Sequence, residues 1–106
     1  MSLKIKILNS KNRYGYIQGE VEDFCWYALV HREEVAHGIN PNNLDAGRGR
    51  VSRLCIYKDI PMTNYTKRLI YANYKRHWEV FNTRHEDVIR GLVDYLNKRY
   101  SIRVIK

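Results

Sequence analysis

The sequence predicts an α+β domain in which an antiparallel sheet of about five to six strands is packed by one C-terminal amphipathic helix. Three observations predict this class. Apolar and polar residues alternate near the N-terminus, a later segment is apolar at every position, and the last third of the chain carries an apolar stripe at helical spacing. Since 106 residues have room for one core, residues 1–106 are expected to form a single domain.

The first three predicted strands form an antiparallel meander with short turns. Residues 3–8 alternate between apolar and lysine-bearing positions, which is typical of an edge strand. Turn-forming residues occupy 9–12, a second strand covers 14–21, and 22–23 make a tight polar turn. Residues 24–31 are apolar on both faces, which indicates a central strand.

The rest of the predicted sheet contains two loops. Glycine, proline and asparagine dominate residues 37–49, the longest predicted loop, and a strand follows at 51–57. Residues 59–66 include a proline and are predicted to be a second loop. The segments 68–74 and 78–81 are either a further strand pair or one bent strand.

The C-terminal helix has the clearest signals. Thr83 and Glu86 form a capping box, in which the hydroxyl and the carboxylate each accept from a backbone N–H of the first turn. Gly91 costs about 1 kcal/mol relative to alanine, and its small size suits close packing on the sheet. Residues 102–105 can add a short terminal strand. The apolar stripe consists of Val88, Ile89, Leu92, Val93, Leu96 and Tyr100.

The formal charge of +8 is unevenly distributed along the chain. Residues 1–46 carry five Lys and Arg against six acids, whereas residues 47–106 carry fourteen against five. A concentrated positive field attracts polyanions and speeds their association, which favours nucleic acid as a partner. The alternative is that the charge serves only solubility.

Several functional classes lack support in the sequence. The longest apolar run, 24–30, is far shorter than the roughly 20 residues that span a membrane. No signal-peptide pattern occurs and only two cysteines are present, so a cytoplasmic location is expected. Metal-ligand spacings, phosphate-binding loops and nucleophile motifs are all missing. We therefore expect no catalytic residues, no metal and no cofactor.

Basic clusters interleaved with aromatic residues are the most suggestive functional feature. Lys and Arg pair with phosphates, and exposed rings stack on unpaired bases. Three rings lie among these clusters as candidate stacking groups, with core packing as the alternative for each: Tyr71, Tyr74 and Trp78. The predicted polyanion contacts are Arg48, Arg50, Arg53, Lys67, Arg68, Lys75 and Arg76.

The segments 49–56 (GRVSRLCI) and 72–80 (ANYKRHWEV) resemble a family of small uncharacterised proteins of Gram-positive bacteria and their phages. That family has a YGI segment, a GRISKL strand, an NYDRGWD segment and a C-terminal helix. Here 37–40 would match the first of these, while 42–47 is an apparent insertion. Lys75 replaces the family's acid and His77 its glycine, which reverses the charge of that turn. The resemblance implies a phage or mobile-element accessory protein.

Together these observations predict a small, basic, non-enzymatic binding protein that contacts nucleic acid or another polyanion. The alternative is a protein–protein interaction module, either a homodimer or an inhibitor of a host protein. Tyrosine, with nine copies, suits both, because its ring packs while its hydroxyl stays hydrated.

Overall fold

The computed structural model describes residues 3–8 and 14–99, and it confirms the α+β class. The six strands pair antiparallel in sequence order, so that each hairpin adds the next strand. A single turn of 3-10 helix, Thr83–His85, leads into helix α1, Glu86–Arg99. The strands are β1 (Ile5–Ile7), β2 (Gly15–Val21), β3 (Phe24–Val35), β4 (Gly49–Pro61), β5 (Thr66–Lys75) and β6 (Trp78–Phe81).

The core lies between one face of the sheet and α1. Alternate residues of the central strands point to this face, where Trp26 pairs with Ile56 and Ala28 with Leu54. All four are almost fully buried, as is Leu96 of α1. The period of two in the strands and of 3.6 in the helix together produce this two-layer core.

The loop between β3 and β4, residues 36–48, folds back along the edge of the core. The Ile39 side chain is fully buried, and its backbone N–H donates to the Val51 carbonyl at 2.7 Å. The approach requires glycine at residue 49, because a Cβ there would collide with the Ile39 carbonyl oxygen. Leu44 is buried as well, which anchors the middle of the loop.

The strands β4 and β5 extend past the rest of the sheet as a two-stranded arm, residues 58–69. β3 begins at Phe24 and pairs with β4 only as far as Tyr57, so the arm has no third strand. The loop predicted at 59–66 is therefore wrong, since only 62–65 connect the strands. Met62 N–H donates to the Tyr65 carbonyl at 2.7 Å, which makes the adjacent Pro61–Thr66 pair the non-hydrogen-bonded kind. Pro61 consequently costs the ladder no hydrogen bond.

The remaining sequence expectations have different outcomes. The strand pair predicted as one alternative for 68–74 and 78–81 is confirmed, with a turn at 76–77 between the two strands. The helical segment is capped by Asn82 rather than by Thr83: the Asn82 side chain accepts from Arg84 N–H at 2.9 Å. Predictions for 9–12, Tyr100 and 102–105 lie outside the described residues.

Candidate nucleic-acid interface

The predicted polyanion contacts fall into two groups rather than one patch. Arg48, Arg50, Arg53, Lys75 and Arg76 lie where β4 begins and β5 ends; we call this the basic end. Lys67 and Arg68 lie on the arm. Since Arg53 pairs with Lys75 and Ile60 with Lys67, seven strand residues separate the groups, or about 23 Å.

Arg53 and Lys75 form the centre of the basic end. They are direct cross-strand partners and both are exposed. Like charges placed opposite each other on a sheet are destabilising, so this pair does not serve the stability of the fold. Among the described residues, neither side chain has an acid within ion-pairing distance. The pair therefore presents uncompensated positive charge to solvent.

Arg48 and Arg76 have left-handed backbones, with φ of 83° and 73°. Residues with a Cβ pay roughly 1–2 kcal/mol for this conformation, and such strain is frequent at functional sites. The two residues flank one cleft of about 450 Å³ between the 36–48 loop and the β5–β6 turn. Arg76 lines the cleft directly. On the other side it is lined by Gly47, the neighbour of Arg48. His37, His77 and one acid, Asp45, also line the cleft.

Arg50 differs from its neighbours because its side chain and backbone form hydrogen bonds that connect parts of the fold. Its guanidinium donates to the Arg32 carbonyl, and its backbone N–H donates to Asn97 Oδ1 at 3.1 Å. These contacts join the start of β4 to β3 and to the end of α1. We therefore assign Arg50 a structural role within the basic end.

The arm carries less free charge than its sequence indicates. Arg68 forms a bidentate ion pair with Asp59, at 2.7 and 2.9 Å, and its guanidinium lies 3.9 Å from the Tyr57 ring centroid. The hydrogen bond from Arg68 holds the pKa of Asp59 below its usual value, and Asp59 in turn raises the pKa of Arg68. Lys67 is exposed next to this pair.

The three predicted stacking groups are engaged inside the molecule. Tyr74 is only 5% exposed, and its hydroxyl donates to the His37 carbonyl at 3.0 Å. Trp78 Nε1 donates to the Leu44 carbonyl at 2.8 Å. Tyr71 packs edge-on against Phe24, with 4.9 Å between ring centroids. Their rings support the loop and the core, which is the alternative that the sequence left open.

A β-bulge explains the position of Tyr71. The β4–β5 register shifts between Ile56 and Tyr57, which pair with Ala72 and Ile70, so that Tyr71 is the extra residue. A bulge turns the extra side chain toward the face of its neighbour. Tyr71 consequently lies on the core side with Ala72, a placement that strict alternation does not predict.

Other aromatic residues occupy the sheet face opposite α1, which we call the open face. Tyr16 is 54% exposed and is the most accessible of them, while Tyr27 and Tyr57 are half-buried with ring centroids 6.1 Å apart. Sequence analysis predicted two apolar faces for 24–31 but did not connect the face that carries Tyr27 with the basic residues. The register supplies that connection. The open face comprises Tyr16, Gln18, Tyr27, Leu29, Arg53, Cys55, Tyr57, Ile70, Asn73 and Lys75.

Two side-chain groups on β3 and β4 resemble reactive sites in composition. Ser52 Oγ and His31 Nε2 are 2.6 Å apart, but Ser52 is only 6% exposed at the β3–β4 bulge, so the pair stabilises that irregularity. Burial raises the pKa of the Cys55 thiol, which keeps it protonated and weakly nucleophilic at neutral pH. In the part of the chain that the structure describes, no three His, Cys, Asp or Glu residues converge on a metal-binding point.

No family model, curated protein or solved structure matches the chain. The resemblance to small Gram-positive and phage proteins thus stays a prediction. Of the helical segments within residues 3–8 and 14–99, none combines the length and the apolar character needed to cross a bilayer.

Proposed function

We propose that this chain is a small, non-enzymatic binding protein whose basic end contacts the phosphates of nucleic acid or a similar polyanion. The observation that carries the proposal is the Arg53–Lys75 pair, which sets two uncompensated cations side by side on adjacent strands. Arg48 and Arg76 extend the charge around the edge of the sheet. Phosphate contacts of this kind supply affinity without reading sequence.

A cytoplasmic site of action belongs to the same proposal. Cys25 and Cys55 are free thiols, which suits a reducing compartment that also contains nucleic acid. The resemblance to phage proteins adds the context of a mobile-element accessory protein. Under this proposal the partner is host or phage nucleic acid.

The test is fluorescence anisotropy of labelled single- and double-stranded oligonucleotides, titrated at several salt concentrations. Each phosphate contact contributes a slope of about 0.7 to log affinity against log salt for single strands and about 0.9 for duplex. The double variant Arg53→Ala, Lys75→Ala should bind more weakly and lower the slope by about 1.4 or 1.8, respectively.

A charge-matched control uses two arginines on the helical side of the sheet. The variant Arg84→Ala, Arg90→Ala removes the same charge from the 3-10 turn and α1, where Arg90 already pairs with Glu86 at 2.6 Å. It should leave affinity and slope close to those of the wild type. Absence of binding at low salt, or equal losses in both double variants, would reject the proposed interface.

The arm supports a second candidate, a protein–protein interaction module. Large apolar side chains are exposed on it, with Met62 at 45% and Tyr65 at 62%, and an exposed apolar hairpin is a common association surface. Light scattering at increasing concentration tests the homodimer. We expect Met62→Ser, Tyr65→Ser to abolish any self-association, and a monomer at high concentration would remove this version.

A further inference from the structure

The open face contains a hollow of about 270 Å³ between β2 and β3. Tyr16, Gln18 and Tyr27 line it, together with the backbone at Ile17, whose side chain is buried on the other face. In the register, Gln18 lies opposite Tyr27 and Tyr16 opposite Leu29, so the two rings are diagonal neighbours across the strand pair. A flat aromatic group can therefore lie against Tyr rings with a side-chain amide at its edge.

Positive charge lies in the same row of the sheet. The register runs from Tyr16 through Leu29 and Arg53 to Lys75, one residue on each of four adjacent strands. At about 4.8 Å between strands, Arg53 is about 10 Å from Tyr16 along the backbone. Side chains of this length bring the ring and the guanidinium within reach of one nucleotide.

Three acids lie near the open face but outside this row. Glu20 lies opposite Lys6, Asp59 forms an ion pair with Arg68, and the Glu79 carboxylate accepts from Asn73 Nδ2 at 3.2 Å. Within the row itself the charged residues are Arg53 and Lys75, and both are cations. An anionic ligand that also carries a flat ring complements this combination better than an apolar peptide does.

We propose that the open face binds single-stranded nucleic acid, with one unpaired base stacked on Tyr16 and Tyr27 and the adjoining phosphates on Arg53 and Lys75. The inference rests on the proposed function and deepens it by choosing between single strands and duplex. In a duplex the bases are stacked on one another and cannot enter the hollow, whereas an unpaired base can.

The experiment compares three labelled probes with the same number of phosphates per strand: a ten-residue oligothymidine, an abasic strand of equal length and a blunt duplex. Stacking of one base changes affinity by roughly 5- to 150-fold. We expect oligothymidine to bind more tightly than the abasic strand by a factor in that range. Tyr16→Leu should reduce the difference, because only the Tyr27 ring remains, and Tyr16→Phe, which keeps the ring, should preserve it.

The outcomes separate this inference from the proposed function. Equal affinity for oligothymidine and the abasic strand, or an unchanged ratio in Tyr16→Leu, would overturn the base slot while leaving phosphate binding intact. Failure of all three probes to bind would overturn both. Because the Tyr16 side chain is 54% exposed, circular dichroism of both Tyr16 variants should match the wild type, so a loss of base preference reports on stacking.

Discussion

Arg76 offers a test that separates the cost of its backbone conformation from the value of its charge. Its φ of 73° is left-handed, and the turn is closed by Lys75 N–H donating to the His77 carbonyl at 3.0 Å. Glycine adopts this conformation without the roughly 1–2 kcal/mol that a Cβ costs. However, glycine loses more conformational entropy on folding, which costs about 0.5–1 kcal/mol. Arg76→Gly should therefore be more stable than Arg76→Ala by about 0.5–1 kcal/mol.

Thermal unfolding followed by circular dichroism measures this difference. A change of that size corresponds to about 2–5 °C in Tm for a domain near 100 residues. The matched control is Arg53, which lies in the extended strand β4, where the order should reverse and alanine should be the more stable. Both Arg76 variants should lose the same affinity for oligonucleotides. If Arg76→Ala is as stable as Arg76→Gly, the turn does not hold this residue in a left-handed conformation.

Two further predictions concern the supports of the candidate site. Tyr74→Phe keeps the buried ring but removes the hydroxyl that donates to the His37 carbonyl. The free energy of unfolding should fall by about 1 kcal/mol, while oligonucleotide affinity stays unchanged. A selective loss of affinity would instead implicate the hydroxyl in binding. For Asp59, carbon-detected NMR titration should give a pKa below the ordinary value of an aspartate, because Arg68 donates to the carboxylate, and the pKa should move toward that ordinary value in Arg68→Gln. Because folding lowers the pKa of Asp59, the ion pair stabilises the arm at pH values above the pKa of Asp59 in the unfolded chain. This stabilisation is lost as the pH falls through the pKa of Asp59 in the folded protein. An ordinary pKa for Asp59 in the folded protein would contradict this prediction.

The candidate site combines residues that the sequence marked with others that it did not. The positive charge of the second half was visible in the sequence, and five of the seven predicted contacts do lie at one end of the sheet. Arg68 is neutralised by Asp59, and Arg50 is bound to the Arg32 carbonyl. Such pairing depends on strand register, and Asp59 and Arg68 meet only because the arm continues past the rest of the sheet.

The aromatic residues show more clearly the difference between what the sequence marks and what the structure places in the site. Tyr71, Tyr74 and Trp78 stood out because they are interleaved with basic residues. The bulge in β5 turns Tyr71 to the core side, and Tyr74 and Trp78 donate hydrogen bonds to the 36–48 loop. Tyr16 is distant from those clusters in sequence, but the meander places it in the same row as Arg53 and Lys75. Local pattern reports which face a side chain occupies, whereas register decides which side chains share that face.

The sequence by itself determined the fold class, the central position of β3 and the helical segment, because these follow from the local period of apolar residues. It also determined the excess of positive charge. Only the tertiary structure decided where the cations lie relative to one another, which rings are exposed and where β4 ends. These properties arise from bulges, loop docking and unpaired strand length, which depend on contacts between residues far apart in the chain.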